Sequence, residues 1–221
     1  PLEKATPRNL PLCEDCILGK SKRVSFGRPS FKASQTLKYI RSDLWGTSHG
    51  GGAYFVTFID NYSRKVRIYI LKNKSDDFET FKTWKTIVEN QIGKRIKVMR
   101  TNNGLEYLST EFVQFCQSAG IARHQTVRET PQQNGLMNRT IIERVWSMLA
   151  CSGLPKSFWA EAASTAVYLV NRCPSANQFK TSEELRNGKS PSYSYLRVFG
   201  CIAYAHIKTD KPEPRTLKCI F

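Results

Sequence analysis

The stretch AYFVTFID, residues 53–60, constrains the fold more than any other. It is almost unbrokenly apolar over the length of a strand, as expected of a central strand covered on both faces. Its neighbours extend a sheet around it. LKYIRSDLW, residues 37–45, reads as a strand ending near Asp43. KVRIYILK, residues 65–72, alternates, with Val66, Ile68 and Ile70 on one side and Arg67, Tyr69 and Leu71 on the other. The DNYSR between them, residues 60–64, is a turn. The three segments form an antiparallel meander.

The period then changes. Phe78, Phe81, Trp84, Val88 and Ile92 recur at helical spacing, with Ser75 placed to cap the helix and Gly93 to end it. RIKVMRT is a fourth strand, and Ser109 caps a short helix with an inner face of Phe112, Phe115, Cys116 and Ala119. IARHQTV is a short fifth strand. Residues 130–136 read as a loop into a helix from Asn138 to Cys151, whose apolar face is Ile141, Ile142, Val145, Met148 and Leu149. A second helix covers about Pro155 to Asn171. YLRVFGCIAYAHI, near the end, reads as strand and turn, either at the edge of the core or in a further domain. The order β-β-β-α-β-α-β-α-α is that of an α/β, ribonuclease-H-like fold, a mixed five-stranded sheet flanked by helices. In that arrangement Asp43 on the first strand lies beside residue 102 at the end of the fourth, and the start of the helix after the fifth strand comes third.

Charge narrows the partners. Lys and Arg total 34 against 18 Asp and Glu, a net +16. Such an excess favours a polyanion, most often nucleic acid, or serves solubility alone. No apolar run is long enough for a membrane span. The seven cysteines are odd in number and scattered apart from Cys13 and Cys16, which suits a reducing, intracellular setting. KSKRVSFGRPSFK, residues 20–32, interleaves Val24, Phe26 and Phe31 with cations, and reads as a solvated linker or a nucleic-acid-contacting arm. Trp84, Trp146 and Trp159 are expected to pack, and His124 to serve as a structural hydrogen-bonding group.

Several words in order carry a resemblance. They are C-x-x-C-I-L-G-K at 13–20, SDLWG at 42–46, FIDNYSR at 58–64, NGLEY at 103–107, TPQQNG at 130–135, NRTIIE at 138–143, LPKSFWAEA at 154–162 and LRVFGC at 196–201. Together they make the chain similar to the integrase region of copia-type long-terminal-repeat retrotransposon polyproteins. The resemblance implies a polynucleotidyl transferase that joins element DNA to target DNA in the nucleus, through three carboxylates holding two Mg²⁺ or Mn²⁺ ions. It divides the chain into the end of a zinc-type segment and basic linker (1–35), the catalytic core (36–152), trailing helices (153–190) and the start of a truncated post-core segment (191–221). Cys13 and Cys16 would be half of a Zn²⁺ site whose two histidines lie upstream, since His49, His124 and His206 all lie downstream. The partners implied are element and target DNA, a second copy of the chain, and no membrane. The DNA contacts expected are Lys20, Lys22, Arg23 and Arg28 in the arm, Gln132, Gln133 and Asn134 in the loop, and Arg139 and Arg144 on the helix.

The carboxylates are where the chain departs from the family. SDLWG supplies the first acid, Asp43, which alone would be left to hold metal. The family word R-[ST]-D-N-G-G-E-Y reads RTNNGLEY here, with Asn102 in place of the second Asp. The family word T-P-Q-Q-N-G-V-A-E-R-x-N-R-T reads TPQQNGLMNRT, so three residues, the Glu among them, are missing near Leu136 and Met137. The family's spacing of 35 intervening residues, 103–137, leads to Asn138. Neither alignment finds a carboxylate. Glu143 lies five residues beyond Asn138, about 140° round a helix, and is expected to face elsewhere. Asp60 and Glu106 match family acids outside the triad. Losing three residues turns a helix by about 300°, so the helix must re-register or lose its first turn. The chain is therefore expected to keep the integrase fold without strand transfer. It is then a non-catalytic DNA-binding module, a protein-interaction remnant, or the product of a decaying element.

Overall fold

The computed structural model describes residues 33–46, 54–102, 104–125, 135–174, 180–206 and 216–220. Five strands form one sheet: β1 (Tyr39–Gly46), β2 (Tyr54–Asp60), β3 (Val66–Leu71), β4 (Val98–Thr101) and β5 (Ala122–Gln125). Their order is β3-β2-β1-β4-β5. The first three are antiparallel, and β4 and β5 run parallel to β1. The helices are α1 (Asp77–Ile92), α2 (Thr110–Ser118), α3 (Gly135–Ser152), α4 (Trp159–Arg172) and α5 (Ser182–Asn187). The element order and the mixed five-stranded sheet match the expectation from periodicity.

β1 does not stop near Asp43. Its ladder with β2 continues to Gly46 opposite Tyr54, because Trp45 stacks on Phe55 at 5.2 Å and extends the pairing. Asp43 thus stands inside a paired strand, opposite Thr57, and not at a frayed end. The start of α1 also differs. Ser75 does not cap it. A 3₁₀ turn at Lys74–Asp76 comes first, and Asp76 Oδ2 accepts the Asn73 N–H at 3.0 Å. At the far end Gly93 takes φ +69° and returns its N–H to the Glu89 carbonyl, a left-handed cap that a side chain would strain. Ser109 caps α2 by accepting the Phe112 N–H.

Each face of the sheet has its own core. On one face α1 and α2 bury Phe81, Trp84, Val88, Phe112 and Cys116 against Ile40, Val56, Phe58 and Met99. On the other, Ile141, Val145 and Leu149 of α3 and Ala162, Ala163, Ala166 and Val167 of α4 cover Ile59 and Val66. The three alanines let α4 approach closely. Helix α4, placed among trailing helices by sequence, thus supplies part of this second core. It also closes the sheet's open edge. Asn171 accepts the Val66 N–H at 2.8 Å and donates to the Val66 carbonyl at 2.9 Å, as a neighbouring strand would. Trp84 is buried and Trp159 partly buried. Trp146 is not a packing residue: it is 50% exposed, because α3 turns that side outward, under the Lys156 ammonium.

The segment ending the chain is not an edge of the core sheet. β6 (Ile202–His206) and β7 (Thr216–Ile220) form a separate two-stranded antiparallel sheet. Among the described residues, no helix is long and apolar enough to cross a membrane.

Lys65, at the start of β3, is buried beside Glu183, with which it forms an ion pair. Burial, and then Arg67, Arg186 and Arg172, outweigh that single carboxylate and push its pKa down to about 8. The unfolded chain keeps this proton to higher pH, so it binds more protons than the native state between about pH 8 and 10.5. The Lys65 contribution to stability is therefore expected to rise across that window, by at most about 1.4 kcal/mol per pH unit. Cys116, its thiol pushed up to about 11 by burial, works in the opposite direction above pH 9. The quantity to measure is the difference in urea stability between the native chain and Lys65→Met. The stability of the native chain minus that of Lys65→Met should rise with pH through this window; a flat difference would show that Lys65 titrates normally.

Candidate active site and nucleic-acid interface

The parallel register of β1 and β4 sets Arg41 opposite Arg100, so two residues later Asp43 and Asn102 stand side by side. Asn102 Nδ2 donates to Asp43 Oδ1 at 3.0 Å, and its own Oδ1 accepts the Gly104 N–H at 3.1 Å. The third member comes from the first turn of α3. Asn138 is 4% exposed and its Nδ2 donates to Asp43 Oδ2 at 2.9 Å. Its Oδ1 accepts from Thr57 Oγ1, also at 2.9 Å. Both amides must turn nitrogen toward Asp43, because an ionised carboxylate only accepts. One negative charge is thus held by two neutral donors, and the two amide oxygens are already engaged elsewhere.

This arrangement alters the reading of the missing Glu. The gap near Leu136 and Met137 leaves no vacancy at Asp43: α3 starts at Gly135 and presents Asn138 there. In the family word the Asn of N-R-T follows the Glu by three residues, nearly one helical turn. Removing three residues draws it back about 4.5 Å with a net change in direction of about 60°. The apolar face of Ile141, Val145 and Leu149 is buried. Met137 packs into the second core. Glu143 is exposed and paired with Arg139 at 2.8 Å, on the outer side of α3.

The other expected contacts divide. Arg139 is exposed and Arg144 half-buried on α3. Lys20, Lys22, Arg23, Arg28, Cys13, Cys16, Gln132, Gln133 and Asn134 lie outside the described residues. Thr57 was not anticipated; its only signal was its place opposite Asp43 in the meander. His124 shares a 2.8 Å hydrogen bond with the Tyr39 hydroxyl, consistent with a structural part. Tyr107 is buried and shares another with Ser42 at 2.8 Å, which ties the 3₁₀ turn at Leu105–Leu108 to β1.

The integrase core domain family matches residues 34–131. A Pol polyprotein from the tobacco transposon TNT 1-94 is 46% identical over 220 residues, 95% of this chain. The chain belongs to the retrotransposon integrase family. The polyprotein of Arabidopsis transposon RE1 is 34% identical over 219 residues. This integrase segment spans only 17% and 15% of those two polyproteins. Two solved structures share its fold. A simian T-cell lymphotropic virus intasome, in complex with PP2A regulatory subunit B56 gamma, aligns with TM-score 0.57 at 18% identity, over 84% of this chain and 68% of that one. The HTLV-2 integrase catalytic core, in complex with magnesium, aligns with TM-score 0.52 at 20% identity, over 67% of this chain and 95% of that one. The family match takes in Asp43, Thr57 and Asn102 and ends before Asn138.

The integrase family implies divalent metal, and the residues at Asp43 do not fit it. Mg²⁺ takes several hard oxygen ligands, anionic ones by preference. Here one carboxylate faces two N–H donors. Among the described residues, no group of three or more His, Cys, Asp or Glu side chains could hold a metal ion.

Proposed function

We propose that this integrase core binds nucleic acid without cutting or joining it. The observation that carries the reading is the Asp43 carboxylate, each of whose oxygens accepts from an amide where the family has a second and a third acid. Two-metal transfer needs anionic oxygens to activate the attacking hydroxyl and to stabilise the leaving oxygen. Losing one group from such a unit commonly costs several powers of ten in rate, and this chain lacks two. The net charge of +16 remains, and phosphate binding needs only cations. The proposed ligand is DNA, as for the integrase family.

The reading is tested with a short labelled duplex carrying the element's terminal sequence. Binding is expected to weaken steeply with salt and to be the same in Mg²⁺, Mn²⁺ or EDTA. No shortened or joined strand should appear in any of them. Product that depends on Mg²⁺ or Mn²⁺ would overturn the loss of chemistry. Affinity that ignores salt would overturn the binding.

A further inference from the structure

Below the Asp43 site, a row of basic side chains crosses the same face of the sheet. Arg41 on β1 lies opposite Arg100 on β4, and Arg100 opposite His124 on β5. Strand alternation puts Arg41 and Arg100 on the face of Asp43 and Asn102, about 7 Å further down the strands. Arg64, in the turn between β2 and β3, stands near enough to act on Arg41 electrostatically. Three arginines on three neighbouring parts of the fold therefore converge beside one half-buried position.

Arg41 is the centre of the row. Its Nε is shut off from water and has no hydrogen-bond partner. Among the described residues, no carboxylate lies within ion-pair distance of Arg41 or Arg64. The nearby charge on its own strand, Asp43, is already held by the two amides. Burial, then Arg100 and Arg64, push the guanidinium below its ordinary range, against a smaller opposing influence from Tyr39. A desolvated cation beside like charges is costly unless an anion completes it. Guanidinium groups match phosphate in geometry and charge, their N–H groups donating to its oxygens.

We propose that Arg41, Arg64, Arg100 and His124 form an oxyanion subsite that holds a phosphate group of a nucleic-acid strand passing beneath Asp43. The subsite rests on the nucleic-acid reading for its source of phosphate, but its chemistry is separable from it. It gives the core a way to grip a backbone at the former reaction centre with no metal bridging the two.

The test uses the full chain, with Arg41→Gln, Arg64→Gln and, as a control on β7, Lys218→Gln. Inorganic phosphate, compared with chloride at equal ionic strength, is expected to raise the melting midpoint of the native chain and the control by about 2–4 °C. Both arginine variants should lose that increment. Arg41→Gln should also melt higher than the native chain without phosphate, since it relieves repulsion. With a DNA duplex, Arg41→Gln should lower the slope of log affinity against log salt by about 1. Equal protection of all four proteins by phosphate, or an unchanged slope in Arg41→Gln, overturns the subsite while leaving DNA binding intact. Phosphate protection that vanishes with Arg41, in a chain that ignores DNA, keeps the subsite for free phosphate and removes the nucleic-acid reading. Should Arg41→Gln fail to fold, the turn variant Arg64→Gln decides the matter by the same two measurements.

Discussion

Replacing Asn102 with Asp and Asn138 with Glu is expected to make the stability of this core depend on divalent metal. In the native chain each amide donates one hydrogen bond to Asp43, at 3.0 and 2.9 Å. Hydrogen bonds to a charged group contribute about 1.5–3 kcal/mol each, and the double variant replaces both with charge repulsion. Without metal it should lose on the order of 3 kcal/mol relative to the native chain. Three carboxylates meeting at one point are the donor set Mg²⁺ takes up, and an ion at a hundred times its dissociation constant restores about 2.7 kcal/mol. Thermal melting in EDTA, Mg²⁺ and Mn²⁺ reads both effects. The native chain should melt at one temperature in all three. If the variant also ignores metal, or if Mg²⁺ stabilises the native chain equally, Asn138 does not occupy the third acid's place.

The largest loss of stability is expected from Phe58→Ala. Phe58 is 1% exposed at the centre of β2 and stacks on Trp84 at 4.3 Å, with Phe81 at 5.8 Å and Tyr69 at 6.0 Å. Truncation removes the ring's transfer energy and leaves a cavity between α1 and the sheet, which together cost about 3–5 kcal/mol. That is a large part of the roughly 5–15 kcal/mol by which a domain is stable. Urea unfolding should show a lower midpoint with an unchanged slope. A loss below about 1 kcal/mol would mean that α1 closes over the gap, against the close packing of its aromatic contacts. Phe58 is next to Thr57 in the chain but faces the other way, so this variant tests the core without touching the amides at Asp43 directly.

Much of the fold was legible in the sequence because it is written in local periods. AYFVTFID had to be a central strand, and the helical recurrence from Phe78 to Ile92 had to cover one face of the sheet. The parallel pairing that brings Asn102 to Asp43 followed from element order alone. The errors share a cause. Ser75, the end of β1 and the part played by Trp146 were each decided by a neighbour distant in the chain or by a competing turn. Trp45 extends β1 by stacking on Phe55, and Asp76 bonds to Asn73 where Ser75 had been expected to cap.

By itself, the sequence determined the integrase fold, the aspartate at position 43 and the amides at positions 102 and 138. Those depend on residue type, local period and order. Only the tertiary structure decided that Asn138 meets Asp43. The sequence around Leu136 and Met137 leaves two alignments of α3 open, and the choice between them is made by packing. Burying Ile141, Val145 and Leu149 sets the rotation of the helix, and that rotation carries Asn138 onto Asp43 and Thr57. The pairing of Asn171 with the edge of β3, across 105 residues, and the meeting of Arg41 with Arg100 and Arg64 have the same origin. Side-chain type is a property of the chain, but the partner of each side chain is a property of how its elements are packed.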